Sequence, residues 1–203
     1  ETEKKNGVKI YTAQVDGELS YCEYQFDLSH LDVRQLQEMQ VYCQLQDLST
    51  KSKDEKTILL ESGKYLQKLY SYVTVLEDET GKAYPAFRMG FYTDAQTLEQ
   101  AIPLAMEMVT EIAIEENAEK LQQNMQILEQ TFYDAEGLNA FYEGSISRSA
   151  EYSRLDEKIN GLGFYEFLTQ LKAEWQEDSA AASAWLLYAS ACVGCTRVGR
   201  QPS

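Results

Sequence analysis

The amino-acid sequence predicts an α+β fold: an antiparallel sheet from two N-terminal hairpins packs on a long central helix, and a mostly helical C-terminal half follows. Three observations lead to this prediction. Two pairs of segments are rich in β-branched and aromatic residues, one long segment has helical periodicity, and the remainder carries helix signals. With 203 residues, 44% of them hydrophobic, the chain can bury a core. We expect a single α+β domain over 1–203, with a hairpin–helix–hairpin part at 1–92 and a helical part at 93–203.

The first predicted hairpin lies at the N-terminus. Residues 8–15 and 19–26 are rich in β-branched and aromatic side chains, and they flank Asp16 and Gly17. An Asp-Gly pair between such segments is a strong hairpin signal, because both residues tolerate the positive φ of a two-residue turn. The sequence therefore predicts that these two strands pair with each other.

A helix is predicted after this hairpin, ending at about residue 48. Ser29 followed by Asp32 resembles a capping box in which Asp takes the place of Glu. The apolar side chains that follow have helical spacing, and they define an inner face: Val33, Leu36, Met39 and Cys43.

The second predicted hairpin spans residues 65–92. Tyrosines, valines and a threonine favour a strand over 65–76, although 65–70 is equally compatible with a helical turn. A polar connection at 77–82 contains Gly81, and 83–92 returns as a strand. Because Pro85 has no N–H to donate, we expect it at a sheet edge or a bulge.

The long central helix is predicted over residues 93–133, capped by Thr93 or Asp94 and kinked at Pro103. Two apolar sets follow helical spacing, and the step from Ile112 to Ile114 separates them. That step rotates a helix by roughly 200°. A continuous helix would therefore bury opposite sides in its two halves.

The C-terminal half is predicted to be helical. Asp134 can cap a helix at 135–143, and Ser149 can open another that Gly161 closes. A further helix at 164–176 has an apolar face made of Phe164, Phe167, Leu168, Leu171 and Trp175. The last predicted helix, at 180–192, is too short and too rich in serine for a membrane span.

Acidic residues dominate the charge of the chain. The net charge is −15, and residues 94–143 contain 11 acidic residues and one base. This balance disfavours nucleic-acid backbones and anionic membranes, and it favours basic partners. Four glutamates recur every fourth residue and would form one ridge on the long helix: Glu107, Glu111, Glu115 and Glu119. Such a ridge is either a water-facing strip or a surface for a basic partner.

Aromatic residues crowd both predicted hairpins. Tyr72 and Tyr92 stand in the second one, among other tyrosines and phenylalanines. Alternation along a strand sends some of these side chains to the face opposite the long helix. That face is either an exposed protein-binding surface, since tyrosine offers contact area at little entropic cost, or it is covered by further helices.

No catalytic fingerprint accompanies these patterns. The chain has one histidine, His30, and no nucleophile-elbow, phosphate-loop, dinucleotide or zinc-protease motif. Cys192 and Cys195 have the spacing of a redox pair or of half a zinc site, but they follow a predicted helix instead of opening one. We predict no cofactor and no metal, and keep a thiol redox or zinc-binding protein as the alternative.

The leading hypothesis is a non-catalytic protein-binding module of the chaperone, inhibitor or neutralising type. It would present the acidic helical surface (Glu107, Glu111, Glu115, Glu119), with Tyr72 and Tyr92, to a basic or amphipathic polypeptide. A structural piece of a larger exported or surface assembly is a second alternative. Cytoplasmic and exported locations both fit the sequence.

Overall fold

The computed structural model describes residues 2–5, 8–11, 13, 17–43, 48–114, 116–117, 119–120, 123, 130 and 150–177. Within these ranges the predicted α+β class is confirmed. In chain order the elements are β1 (Thr2–Lys5), β2 (Val8–Tyr11), β3 (Leu19–Asp27), α1 (Val33–Cys43), α2 (Glu55–Tyr65), β4 (Lys68–Glu77), β5 (Ala83–Asp94), a 3₁₀ turn (Ala95–Thr97), α3 (Leu98–Thr110), α4 (Ala150–Asn160) and α5 (Leu162–Glu177).

The main sheet has three antiparallel strands in the order β3-β5-β4. The predicted second hairpin is confirmed as β4 and β5, whose register runs from Lys68 opposite Tyr92 to Glu77 opposite Ala83. Gly81 takes a φ of 81° in the connecting turn, a conformation that glycine adopts without steric cost.

The predicted pairing across Asp16 and Gly17 is wrong. β2 pairs with β1 in a separate two-stranded sheet, and β3 pairs along its length with β5. The physical reason is packing: the register places Cys22 opposite Phe91 and Phe26 opposite Phe87, and both phenylalanines are almost completely buried. Burial of this long-range pair outweighs the local turn signal.

Pro85 lies in the central strand, not at a sheet edge as predicted. Its carbonyl accepts a 2.9 Å hydrogen bond from the N–H of Leu28, one position beyond the last β3–β5 pair, Asp27 opposite Ala86. The nitrogen and oxygen of one strand residue point to the same side. The ring nitrogen of Pro85 therefore faces the end of β3, beyond the last residue pair of the two strands, so no β3–β5 ladder hydrogen bond requires an N–H at this position.

The predicted continuous helix over 93–133 is also wrong. β5 continues through Asp94, whose side chain accepts the 3.0 Å hydrogen bond of the N–H of Gln96 at the 3₁₀ turn. α3 ends at Thr110, and Ile112 forms a β-bridge with Thr50. Ile112 and Ile114 are both buried; Ile112 lies in the bridge, and Ile114 begins the turn that follows it.

Helix α1 begins with reciprocal capping. The N–H of Gln35 donates to the Asp32 carboxylate, and the N–H of Asp32 donates to the Gln35 side chain, both at 2.9 Å. Asp32 is thus the cap, whereas Ser29 donates to Asp27. The observed capping pair, Asp32 and Gln35, lies three residues after the predicted pair, Ser29 and Asp32. Of the predicted inner residues, Leu36, Met39 and Cys43 are buried and Val33 is half-buried, and the helix buries every residue from Leu36 to Cys43.

Helix α2 was not predicted. Its cap is Asp54, which accepts a 2.8 Å hydrogen bond from the N–H of Thr57. Ile58 is the residue that the helix buries, while Leu59 and Leu60 are exposed. Because the helix lacks an apolar stripe, periodicity alone does not reveal it.

The C-terminal helices follow the prediction where the structure describes them. α4 ends at Asn160, and the N–H of Gly161 donates to the carbonyl of Glu157 at 2.9 Å. On α5 the predicted inner residues Phe164, Phe167, Leu168 and Leu171 are buried. The helices predicted at 135–143 and 180–192 lie outside the described residues.

A single face of the main sheet carries the core. α1 and α4 contact β4, and α3 and α4 contact β5. Phe87, Met89 and Phe91 point into the resulting layer and are at most 1% exposed. Among the described helices, none has the length and apolar character needed to cross a membrane.

Candidate functional site: a tyrosine face on the sheet

The opposite face of the main sheet is rich in tyrosine. Successive side chains of a strand point to opposite faces of a sheet, so every second residue of β3, β4 and β5 lies on this face and the residues between them point into the core. We use the name tyrosine face for nine of these residues: Leu19, Tyr21, Glu23 and Gln25 of β3, Tyr70 and Tyr72 of β4, and Tyr84, Arg88 and Tyr92 of β5. Tyr21 is 45% exposed, Leu19 43% and Tyr92 38%, so water reaches large apolar groups here.

The tyrosine rings form one connected cluster. The Tyr21 ring lies 4.8 Å from that of Tyr92 and 6.4 Å from that of Tyr70, between ring centres. Tyr70 lies 5.8 Å from Tyr72, and the Arg88 guanidinium lies 5.9 Å from the centre of the Tyr72 ring. These separations are typical of favourable aromatic and cation–π contacts.

Glu23 holds this cluster together. Its carboxylate accepts hydrogen bonds from the hydroxyl of Tyr21, from the hydroxyl of Tyr70 at 3.2 Å, and from the guanidinium of Arg88, with Nε at 3.1 Å. The two tyrosine hydroxyls also contact each other. One carboxylate thus fixes the positions of three long side chains from three strands.

The same contacts shift the proton affinities of these groups. Partial burial, together with the hydrogen bonds to Glu23 and Tyr70, raises the pKa of Tyr21. Partial burial opposes ionisation of Glu23, but the hydrogen bonds from Arg88 and Tyr21 outweigh it and lower its pKa. At neutral pH we therefore expect a charged Glu23–Arg88 pair beside the neutral hydroxyls of Tyr21 and Tyr70, whose pKa values are both raised.

Gly90 allows this close packing at the centre of the sheet. A Cβ atom at this position would lie 2.5 Å from Cζ of Tyr70 and 3.0 Å from the hydroxyl oxygen of Tyr21. Carbon atoms in contact normally stand about 3.5–4.0 Å apart. The absent side chain of Gly90 is therefore what lets Tyr70 lie over the central strand.

The structure distributes the sequence-predicted site residues over different places. Tyr72 and Tyr92 are on the tyrosine face. The four glutamates do not form one helical ridge, because α3 ends at Thr110. Glu107 is on α3, Glu111 follows its end, Glu119 is exposed beyond it, and Glu115 lies outside the described residues.

Glu107 is engaged within the molecule. Its carboxylate accepts 2.6 Å hydrogen bonds from the hydroxyls of Thr50 and Ser52 and forms an ion pair with Lys53. Burial opposes its ionisation, but these partners outweigh burial and lower its pKa. These contacts connect α3 to the segment before α2, so the carboxylate has a structural role.

Seven members of the tyrosine face were not singled out as site residues from the sequence: Leu19, Tyr21, Glu23, Gln25, Tyr70, Tyr84 and Arg88. Two signals could have found them. Arg88 is the one charged residue within the predicted strand 83–92, and Gly90 is a glycine inside the same strand. A glycine within a strand often marks close approach of another group.

The cysteines give no second site in the described part of the chain. Cys22 is half-buried, Cys43 is buried, and neither forms a disulfide with another described residue. Cys192 and Cys195 lie outside the described residues. Among the residues that the structure describes, no cluster of three or more histidine, cysteine or acidic side chains is placed to hold a metal ion.

In comparisons with known proteins, no protein-family model and no curated protein matches the chain.

Proposed function

We propose that this protein is a non-catalytic polypeptide-binding module, and that its tyrosine face holds a basic or amphipathic segment of a partner protein. The observation that carries the proposal is the exposure of Leu19, Tyr21 and Tyr92 on one face of the sheet. Exposed aromatic clusters of this kind are typical of protein-binding surfaces, where tyrosine supplies a large contact area with few rotatable bonds.

Preorganisation supports the same proposal. Glu23 already orders Tyr21, Tyr70 and Arg88 through hydrogen bonds. A partner that contacts these side chains would lose less rotamer entropy than on a loose surface. The network therefore favours binding over a purely solvated role.

Charge selects the class of partner. The net charge of −15 attracts basic polypeptides over long distances and repels acidic ones. In this proposal the acidic residues predicted as partner-binding contribute to the general negative potential, with Glu119 exposed to solvent. Glu107 contributes less, since Lys53 neutralises it.

The alternatives from the sequence keep their own tests. A redox or zinc function of Cys192 and Cys195 predicts reactive thiols or bound metal, which thiol titration and metal analysis detect. No specific contact among the described residues favours that function over polypeptide binding.

Peptide binding with defined probes tests the proposal. A synthetic peptide alternating lysine and valine, and a matched peptide with glutamate for lysine, are titrated with the protein by fluorescence anisotropy. We expect binding of the lysine peptide only. Tyr21→Ala and Tyr92→Ala should each weaken it by about tenfold, the loss expected for a contact residue worth about 1.4 kcal/mol.

Leu60→Ala provides the matched control. Leu60 is 67% exposed on α2, a helix that contacts α3 and is not part of the sheet, so its truncation should leave peptide affinity unchanged. The proposal fails if the two peptides bind equally, or if the tyrosine variants bind as tightly as the parent protein.

A further inference from the structure

The two edges of the main sheet are unlike each other. Along β4, the outward N–H of Val73 donates to the side chain of Gln40 at 2.7 Å, and Gln40 in turn donates to Asn160 at 2.8 Å. Side chains of α1 and α4 thus occupy that edge. Along β3, no described residue pairs with the outer backbone groups, and the strand order ends there.

The register shows which β3 groups face outward. The N–H of Leu28 donates to Pro85 of β5, and in an antiparallel ladder every second residue bonds to the same neighbour. The alternate residues Tyr21, Glu23 and Gln25 therefore direct their N–H and C=O groups away from β5. Their side chains are also those that β3 contributes to the tyrosine face.

The β3 edge lacks the usual protection against added strands. Natural edge strands are commonly blocked by lysine, proline or a bulge. β3 contains no lysine, arginine or proline, and its nine residues pair with β5 in an unbroken register. The edge is thus long and regular enough to accept a strand.

Charge decides between a second copy and a different partner. β3 carries Glu23 and Asp27, and Glu18 precedes it. Two copies paired antiparallel about Glu23 would place like charges opposite each other, in a chain whose net charge is −15. A basic strand has no such penalty.

We propose that the outer edge of β3 binds an extended segment of a basic polypeptide as a fourth strand of the sheet. This inference rests on the proposed function and names its binding mode. Basic side chains at alternate positions would lie on the same side of the sheet as Tyr21, Glu23 and Asp27. The intervening apolar side chains would extend the core face beside Tyr24 and Phe26, which are partly buried against the core. Main-chain hydrogen bonds give affinity in this mode, and alternate side chains give specificity.

Two N-methylated forms of the lysine–valine peptide test the geometry. In the bound register, residues opposite Tyr21, Glu23 and Gln25 are lysines whose N–H groups point to β3. Methylating three lysine nitrogens should weaken binding by about fivefold for each hydrogen bond removed, or about 100-fold in all. Methylating three valine nitrogens, which face solvent, should leave affinity within about threefold of the parent peptide.

A protein variant gives an independent measurement. Gln25→Pro removes an outward N–H without removing a β3–β5 donor, and Gln25→Ala is the matched control that keeps the N–H. We expect Gln25→Pro to bind the unmodified peptide about fivefold more weakly than Gln25→Ala, with equal thermal unfolding temperatures. If Gln25→Pro does not fold, the two methylated peptides decide the question alone.

The outcomes separate the two proposals. Equal affinity of both methylated peptides, or a greater loss for the valine-methylated one, overturns strand addition. If the Tyr21→Ala and Tyr92→Ala losses persist in that case, the tyrosine face still binds polypeptide by side-chain contacts. If the unmodified lysine peptide does not bind at all, both proposals are overturned.

Discussion

Gly90→Ala tests whether the tyrosine face is a packed unit. The new methyl group would lie 2.5 Å from Cζ of Tyr70, so the ring must move by about 1 Å to restore ordinary contact. Such a shift breaks the 3.2 Å hydrogen bond from Tyr70 to Glu23. Overpacking costs about 1–3 kcal/mol and the lost hydrogen bond about 1 kcal/mol, whereas replacing glycine returns about 0.5–1 kcal/mol. We expect a net loss of about 1–3.5 kcal/mol in the free energy of unfolding.

Urea unfolding followed by circular dichroism measures this loss. In a Tyr70→Ala protein the ring that the new methyl group would contact is absent, so Gly90→Ala should become neutral or stabilising. The double-mutant cycle should therefore show a coupling of about 2–4 kcal/mol between the two positions. Gly63→Ala is the control, because Gly63 lies in α2 with nothing within 4 Å of the new methyl group. It should stabilise the protein by about 0.5–1 kcal/mol. A Gly90→Ala protein as stable as the parent, or no coupling with Tyr70→Ala, would refute the packing argument.

Two further predictions concern the contacts that α3 and the residues after it make with the segment before α2. Asn117 is buried and donates to the carbonyls of Ser49 and Ala113 at 3.1 and 2.7 Å. Asn117→Ala should lower the free energy of unfolding in urea by about 2–3 kcal/mol, because buried acceptors lose their donor. A loss below about 0.5 kcal/mol, the range of surface substitutions, would contradict this role. Glu107→Gln removes the charge that pairs with Lys53 and should cost about 1 kcal/mol at pH 7. Because folding lowers the pKa of Glu107, the stability that this carboxylate contributes is present at neutral pH and is lost as the pH falls below about 4. The difference in unfolding free energy between Glu107→Gln and the parent should therefore shrink at low pH. A difference that does not change with pH would contradict the ion pair.

Local patterns predicted most of the individual elements. The presence of α1, the β4–β5 hairpin and the buried face of α5 follow from spacing and turn residues within a short window. Identifying these elements needed no information from distant parts of the chain, although the cap of α1 and the ends of β4 and β5 differ from the predicted positions.

Elements that depend on distant partners were not predictable in this way. The step from Ile112 to Ile114 was interpreted as a rotation of a helical face, but it equally fits an extended segment with period two. The bridge to Thr50 decides between them, and Thr50 is remote in sequence. Similarly, β3 leaves its local turn because Phe87 and Phe91 offer a larger buried surface.

The candidate site was likewise predictable only in those parts that depend on local patterns. Tyr72 and Tyr92 were predicted from composition and alternation, because a strand must send alternate side chains to one face. The meeting of Tyr21, Glu23 and Tyr70 depends on the β3–β5–β4 register, which no local pattern specifies. The glutamate ridge was wrong as a structure because its spacing assumed one uninterrupted helix.

The arrangement of charge on the tyrosine face separates two contributions to binding. Arg88 already neutralises Glu23, so a basic partner gains little by pairing with that carboxylate alone. Its attraction to the protein must come mainly from the net charge of −15, a long-range effect that speeds association and that salt screens over about 10 Å. Contacts with Tyr21 and Tyr92 act only at short range and govern dissociation. A partner bound in the proposed way would therefore be recruited by charge distributed over the whole chain, and retained by aromatic groups whose positions Glu23 fixes before the partner arrives.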